Sequence, residues 1–191
     1  MCPFIPVIEK IVEADKALFR FINTGLYNEY AALAVKYTAN DVFLAACVFA
    51  GFALMFRRFG RLEKINTAFA LWAVILANLF NSKILKVIFQ RQRPVVEIPE
   101  TIMMVNMRYL GYAFPSTHTA MAAALAAVLW RDYPKARPFL AGFVFLMAFF
   151  CVYSGGHYPM DTAAGLVSGA AVGLVLDFLK EKFVKRRAAQ E

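Results

Sequence analysis

Residues 138–179 read PFLAGFVFLMAFFCVYSGGHYPMDTAAGLVSGAAVGLVLDFL. Two apolar runs, 138–154 and 162–179, flank the loop Gly155-Gly156-His157-Tyr158-Pro159-Met160-Asp161. A membrane-spanning helix takes about 20 apolar residues, range roughly 17–25, so each run approaches a crossing. The loop carries one of only two histidines in the chain, with a carboxylate four residues later. Two spans joined by a titratable pair place chemistry at a membrane surface.

Composition agrees. The chain has 191 residues, which suits one domain over 1–191. It is 61% hydrophobic with a mean hydropathy of +0.55, more than one small soluble core can bury. The net charge of +8 clusters between apolar runs. Membrane topology and anionic lipid explain that placement better than nucleic acid does. Cys2, Cys47 and Cys151 are scattered and form neither a disulfide framework nor a CxxC site. The first residues lack the ordered regions of a signal peptide, so the first span is expected to target the chain.

The apolar runs predict an all-α polytopic bundle of about five spans plus an amphipathic N-terminal helix. Within 1–24, Ile5, Ile8, Ile11, Val12, Phe19 and Ile22 recur at helical spacing. Glu9, Lys10, Glu13, Asp15, Lys16 and Arg20 carry too much charge for a span, so this helix is expected at the interface. The first apolar segment, 29–56, contains Asn40-Asp41, and only 42–56 is cleanly apolar. It fits either one long tilted helix or a short helix plus a span. The second, 65–89, turns polar at Asn81-Ser82-Lys83. The third, 116–130, is Ala-rich, short for a span, and ends at Trp130. The fourth and fifth are 138–154 and 162–179, with a basic tail over 180–191. Gly165, Gly169 and Gly173 lie on one helix face and predict close helix packing.

Charge orients the bundle. Loops 57–64 and 131–137 and the tail are basic and fall on one side, cytoplasmic by the positive-inside rule. Loops 90–114 and 155–161 then lie together on the outer face of a cytoplasmic membrane. They bring Arg91, Arg93, His118 and His157 to one surface, and Lys86 joins them from the end of the second span.

These residue types suit an anion. Lysine and arginine give charge-assisted donors to phosphate. The plainer reading, juxtamembrane anchoring, fits poorly at the outer face. Ser116 reads as a helix N-cap, and a helix N-terminus attracts anions. His118, two residues on, is an acid candidate. Asp161 is placed to reach back to His157, fixing its tautomer and supporting it as a nucleophile. The plainer alternative makes Asp161 a helix-start residue. Two histidines and one aspartate form a poor zinc set, so no metal is expected.

Together these pieces resemble the type 2 phosphatidic acid phosphatase family, membrane lipid phosphatases related to vanadium haloperoxidases. Its first block, Lys, six residues, Arg-Pro, is matched by Lys86 through Arg93-Pro94. Its second, Pro-Ser-Gly-His, reads here Pro115-Ser116-Thr117-His118. Its third, Ser-Arg, five residues, His, three residues, Asp, is matched at His157 and Asp161. The resemblance covers roughly 65–180, the expected catalytic core. It implies that His157 attacks phosphorus and Asp161 orients it, while His118 protonates the leaving oxygen and then helps activate water. It implies that Lys86, Arg93 and Ser116, with Thr117 and Gly156 beside them, hold phosphate without metal or cofactor.

Two positions depart from the pattern. Thr117 replaces glycine, and Phe150-Cys151 replaces Ser-Arg. A charge-assisted hydrogen bond contributes about 1.5–3 kcal/mol. Losing even one slows a reaction roughly tenfold or more unless compensated. Arg91 is the first choice to compensate, ahead of Lys83 and Arg108. The resulting expectation is a lipid phosphatase in a bilayer, with no nucleic-acid partner. Its substrate would be a polyprenyl pyrophosphate such as undecaprenyl pyrophosphate, phosphatidylglycerol phosphate, or lipid A 1-phosphate. The alternatives are a lipid phosphotransferase using the same phosphohistidine, and a weakened lipid-binding or scaffold relative.

Overall fold

The described residues of the computed structural model are 5–38, 60–104 and 111–190. Among them every regular element is helical. They are α1 (Ile5–Arg20), α2 (Glu29–Thr38), α3 (Arg61–Leu79), α4 (Lys86–Phe89), α5 (Pro94–Glu97), α6 (Thr117–Leu129), α7 (Arg137–Tyr153) and α8 (Pro159–Ala188). Of the first apolar segment only α2 is described; Asn40-Asp41 and the run 42–56 lie outside, as does Arg108.

Among the described residues, three stretches are long and apolar enough to cross a membrane: Arg61–Glu97, Pro134–Tyr153 and Pro159–Ala188. Their outward residues are large and apolar; Trp72, Phe139, Phe145, Val167 and Leu174 are all exposed, as lipid-facing side chains would be. The expected third span is α6, only 13 residues. At 1.5 Å per residue it is about 20 Å long, short of a hydrocarbon core of about 30 Å. Ala120, Ala122, Ala123, Ala124, Ala126 and Val128 are buried because α3, α7 and α8 surround it.

The glycine stripe sets the closest of these contacts. A Cβ on Gly165, Gly169 or Gly173 would lie 2.4, 2.0 or 2.5 Å from the carbonyl oxygens of Ser116, Ala120 and Ala124. Helix α8 therefore lies directly on the backbone of α6, and its start is held beside the start of α6. Across the bundle, a π-helical turn at Phe80–Leu85 interrupts α3 just before Lys86. Buried Asn81 donates to the Ala77 carbonyl (2.8 Å) and accepts from the Ser168 hydroxyl (2.8 Å), pinning that turn to α8.

Two expectations are corrected. The basic tail is not separate from residue 180: α8 continues to Ala188. Lys180 is buried, donating to the Val128 carbonyl (2.7 Å) and pairing with Asp132 and Asp177. It caps the C-terminal end of α6, where carbonyls are left over. The apolar stripe of the N-terminal helix also divides. Phe19 is buried, while Ile8, Ile11 and Val12 are exposed, and Asp15 lies on the buried side.

Replacing Gly169 with valine forces backbone apart. Overpacking costs about 1–3 kcal/mol, occasionally more. A lowered melting temperature in detergent is therefore expected for Gly169→Val. Gly142→Ala, where an added Cβ meets nothing within 4 Å, is expected to melt as the wild type does.

Candidate active site

Helices α6 and α8 start side by side. Ser116 caps α6, accepting from the Thr119 N–H at 3.5 Å and from its hydroxyl at 3.2 Å. The Ser116 N–H donates to the Asp161 main-chain carbonyl (2.8 Å), stitching the two N-termini together. Pro159 begins α8, and the Asp161 carboxylate accepts the Tyr158 N–H (2.8 Å). Asp161 thus serves as the helix-start residue of the plainer reading while lying beside His157.

His157 is buried. Its Nδ1 lies 2.8 Å from the Ala113 carbonyl oxygen and 3.8 Å from Asp161 Oδ2. The shorter contact is with Ala113, and the Asp161 carboxylate faces the same nitrogen from further away. A carbonyl only accepts, so the neutral ring carries its proton on Nδ1 and leaves the Nε2 lone pair open. Asp161 acts as a fixed negative charge one step further away.

The cations are held by the same segment. Arg93 Nε donates to the Gly111 carbonyl (2.7 Å) and Lys86 Nζ to the Tyr112 carbonyl (2.6 Å). Three consecutive carbonyls, 111 to 113, therefore position Arg93, Lys86 and His157. Ala113 is itself anchored through its N–H to the Arg91 carbonyl (2.8 Å). Arg93 also donates to the Gly156 carbonyl (2.9 Å), so Gly156 positions an arginine through its oxygen. Gly155, at φ +84°, sits where a Cβ would be 2.7 Å from the Ile102 carbonyl, which favours glycine at the turn into His157.

Arg91 corrects an expectation. Its Nη1 binds Asp161 Oδ1 (2.7 Å) and its Nη2 binds Asp15 Oδ2 (2.6 Å), over the face of Tyr158 at 4.1 Å. Both arms are committed to carboxylates, so Arg91 does not fill the place of the missing arginine. Nor is that place a void. The buried Cys151 thiol occupies it, hydrogen-bonded with the Ser116 and Thr119 side chains and within electrostatic range of Lys86 and Arg93. Lys83 is exposed in the π turn. His118 is exposed in the first turn of α6, with Thr117 half-buried before it.

Asp15, Thr119 and the 111–113 carbonyls went unread in the sequence. Main-chain acceptors leave no residue signature, and Asp15 looked like one more surface charge on an amphipathic helix. Among the described residues no three His, Cys, Asp or Glu side chains converge as metal ligands would.

Burial pushes the His157 pKa down to about 4, with Lys86 and Arg93 adding to the shift and Asp161 opposing it. The imidazole is then neutral at pH 7. The folded value lies below the ordinary 6.5, so protons bind the unfolded chain first and stability falls as pH drops through this window. A 15N spectrum with labelled histidine is expected to show His157 as the Nδ1–H tautomer, unprotonated at Nε2 down to about pH 4. An Nε2–H tautomer at pH 7 would contradict the Ala113 contact.

The PAP2 superfamily pattern matches residues 66–182. Among solved structures, Aquifex aeolicus LpxE aligns with a TM-score of 0.65 and 23% identity, over 87% of this chain and 93% of that one. The first transmembrane PAP2 type phosphatidylglycerolphosphate phosphatase from Bacillus subtilis aligns with a TM-score of 0.61 and 20% identity, over 93% of this chain and 87% of that one. At these identities the two similarities establish the fold. No curated protein sequence matches the chain.

Proposed function

From the premise that the chain belongs to the PAP2 superfamily, as a membrane enzyme of the lipid phosphatase class, we propose that it hydrolyses a lipid phosphate through a phosphohistidine on His157. One observation carries this reading. The hydrogen bond from Nδ1 to the Ala113 carbonyl leaves Nε2 as a buried, unprotonated nucleophile within the field of Lys86 and Arg93.

The steps follow. Lys86, Arg93 and the N-terminus of α6 at Ser116 and Thr117 hold the phosphate oxygens. Nε2 attacks phosphorus, the phosphorus–oxygen ester bond breaks, and its electron pair leaves with the lipid oxygen, which His118 protonates. The ring becomes cationic, stabilised by the Ala113 carbonyl and by Asp161. Water then attacks phosphorus and gives a proton to His118. The nitrogen–phosphorus bond breaks with its pair returning to Nε2, and inorganic phosphate departs. Positioning and charge stabilisation supply most of such a rate enhancement.

The substrate class is a glycerolipid or polyprenyl phosphate whose head group reaches the site while its tail stays in lipid. The site lies at one end of α8. The basic cluster of Arg131, Lys180 and Lys185 lies at the other, roughly 30–40 Å away by helical rise. Positive-inside bias then puts the cluster and the C-terminus in the cytoplasm and the site at the outer leaflet of a cytoplasmic membrane. Residues 1–191 act as one domain, with 65–180 as its core.

Phosphate release from phosphatidylglycerol phosphate, undecaprenyl pyrophosphate and lipid A 1-phosphate tests this reading. The wild type is expected to release phosphate from at least one, and His157→Ala from none. Lys86→Ala and Arg93→Ala are each expected to slow release about 10- to 150-fold, the worth of one charge-assisted hydrogen bond. Turnover surviving in His157→Ala would overturn the mechanism. Release only with an added acceptor lipid would make the enzyme a phosphotransferase.

A further inference from the structure

The N-terminal helix reaches the catalytic pair. Asp15 is 5% exposed, on a helix whose other acids, Glu9 and Glu13, are exposed. A buried carboxylate is costly unless its oxygens are used. Both are used: Oδ2 takes Arg91 Nη2 (2.6 Å) and Oδ1 takes the Met160 N–H (2.9 Å).

These partners are not generic. Arg91 holds Asp161 Oδ1 with its other arm, and Met160 directly precedes Asp161. Asp15 thus completes the cap of α8 from another helix, accepting an N–H of its first turn while Asp161 accepts that of Tyr158. It also sets where the Arg91 guanidinium stands between two carboxylates. The helix is kept in place by further contacts. Lys16 pairs with Glu97 (2.7 Å) and Arg20 with Glu100 (2.8 Å), and Phe19 packs edge-on against Tyr158 (5.4 Å).

We infer that Asp15 is a positioning residue for His157: it divides Arg91 between two carboxylates so that the Asp161 charge remains available to the imidazole. The inference rests on the phosphohistidine reading above. The charged groups acting on His157 are Asp161 from α8, Lys86 from α4 and Arg93 from the loop before α5. Without Asp15, Arg91 has Asp161 as its only carboxylate partner of the two and neutralises it more fully. The cationic ring that forms when Nε2 takes phosphorus then loses stabilisation. The site meanwhile becomes one charge more positive, which favours the anionic substrate. Chemistry slows while binding holds or tightens, a split that mere unfolding does not produce.

The test uses the full chain in mixed micelles with 32P-labelled phosphatidylglycerol phosphate and phosphatidic acid. Phosphoenzyme is trapped by rapid quench, giving the number of active sites and the rate constant per site separately. For Asp15→Asn, isosteric and still able to accept from Met160, the rate constant per site is expected to fall about 10- to 100-fold. Its site count should stay full and its KM equal or lower. Asp15→Ala is expected to be slower still. Arg20→Ala, which releases only the exposed Arg20–Glu100 pair, is expected to keep the wild-type rate per site.

A wild-type rate per site in Asp15→Asn would overturn the inference, whatever the site count. So would an equal slowing in Arg20→Ala, which would assign the effect to seating of α1 in general. If Asp15→Ala does not fold, Asp15→Asn alone decides. The two readings fail differently. Full turnover in His157→Ala removes the phosphohistidine itself. An inactive His157→Ala beside a wild-type Asp15→Asn removes only the role of Asp15.

Discussion

A carboxylate with no solvent exposure sits at the first turn of α8, and the rest of the site is arranged around it. Burying the Asp161 charge costs several kcal/mol unless it is paired and hydrogen-bonded. It is answered by Arg91 on one oxygen and the Tyr158 N–H on the other. Its main-chain carbonyl takes the Ser116 N–H, which fixes the start of α6. The glycine stripe allows this closeness, since any side chain at Gly165 would meet the Ser116 carbonyl. Helix packing and site geometry are therefore one constraint. A bulky residue on the stripe would separate the two N-termini as well as loosen the bundle.

The second organising element is a run of main chain. Carbonyls 111, 112 and 113 each hold one group: Arg93, Lys86 and His157. Cations that donate to neutral carbonyls are not neutralised by those partners, which suits the phosphate-holding role proposed for them. An imidazole held by a carbonyl keeps its proton on Nδ1, the nitrogen facing that carbonyl, and its lone pair on Nε2. The segment thus positions both halves of the proposed phosphoryl-transfer site without spending a charged side chain on the task.

Legibility in the sequence followed the physics. Spacing between charged or capping residues at span ends was readable, because membranes force polar groups to the boundary. Lys86, Arg93, Ser116, His157 and Asp161 do gather at one end of the bundle. The glycine stripe was readable for a similar reason, since small residues at i, i+4 and i+8 mark a face where backbones touch. Contacts between distant segments were not. Asp15 and Arg91 lie 76 positions apart, and nothing local distinguishes Asp15 from Glu9 or Glu13. Proximity in sequence to Arg93 suggests phosphate binding by Arg91, but two residues of separation do not impose a shared direction. The two side chains in fact diverge, Arg91 toward carboxylates and Arg93 toward carbonyls. The extent of α8 is not legible because Lys180 looks like a tail charge until Asp132 and Asp177 are placed beside it.

The proposed chemistry depends on which atom of His157 faces the reacting phosphorus. Vanadate adopts the five-coordinate geometry of a phosphoryl group in transfer, so a structure of the full chain with vanadate tests it most directly. The prediction is vanadium bonded to Nε2 of His157, its oxygens met by Lys86, Arg93 and Ser116, with Nδ1 still on the Ala113 carbonyl. Vanadate bonded to Nδ1, or bound away from His157, would contradict it.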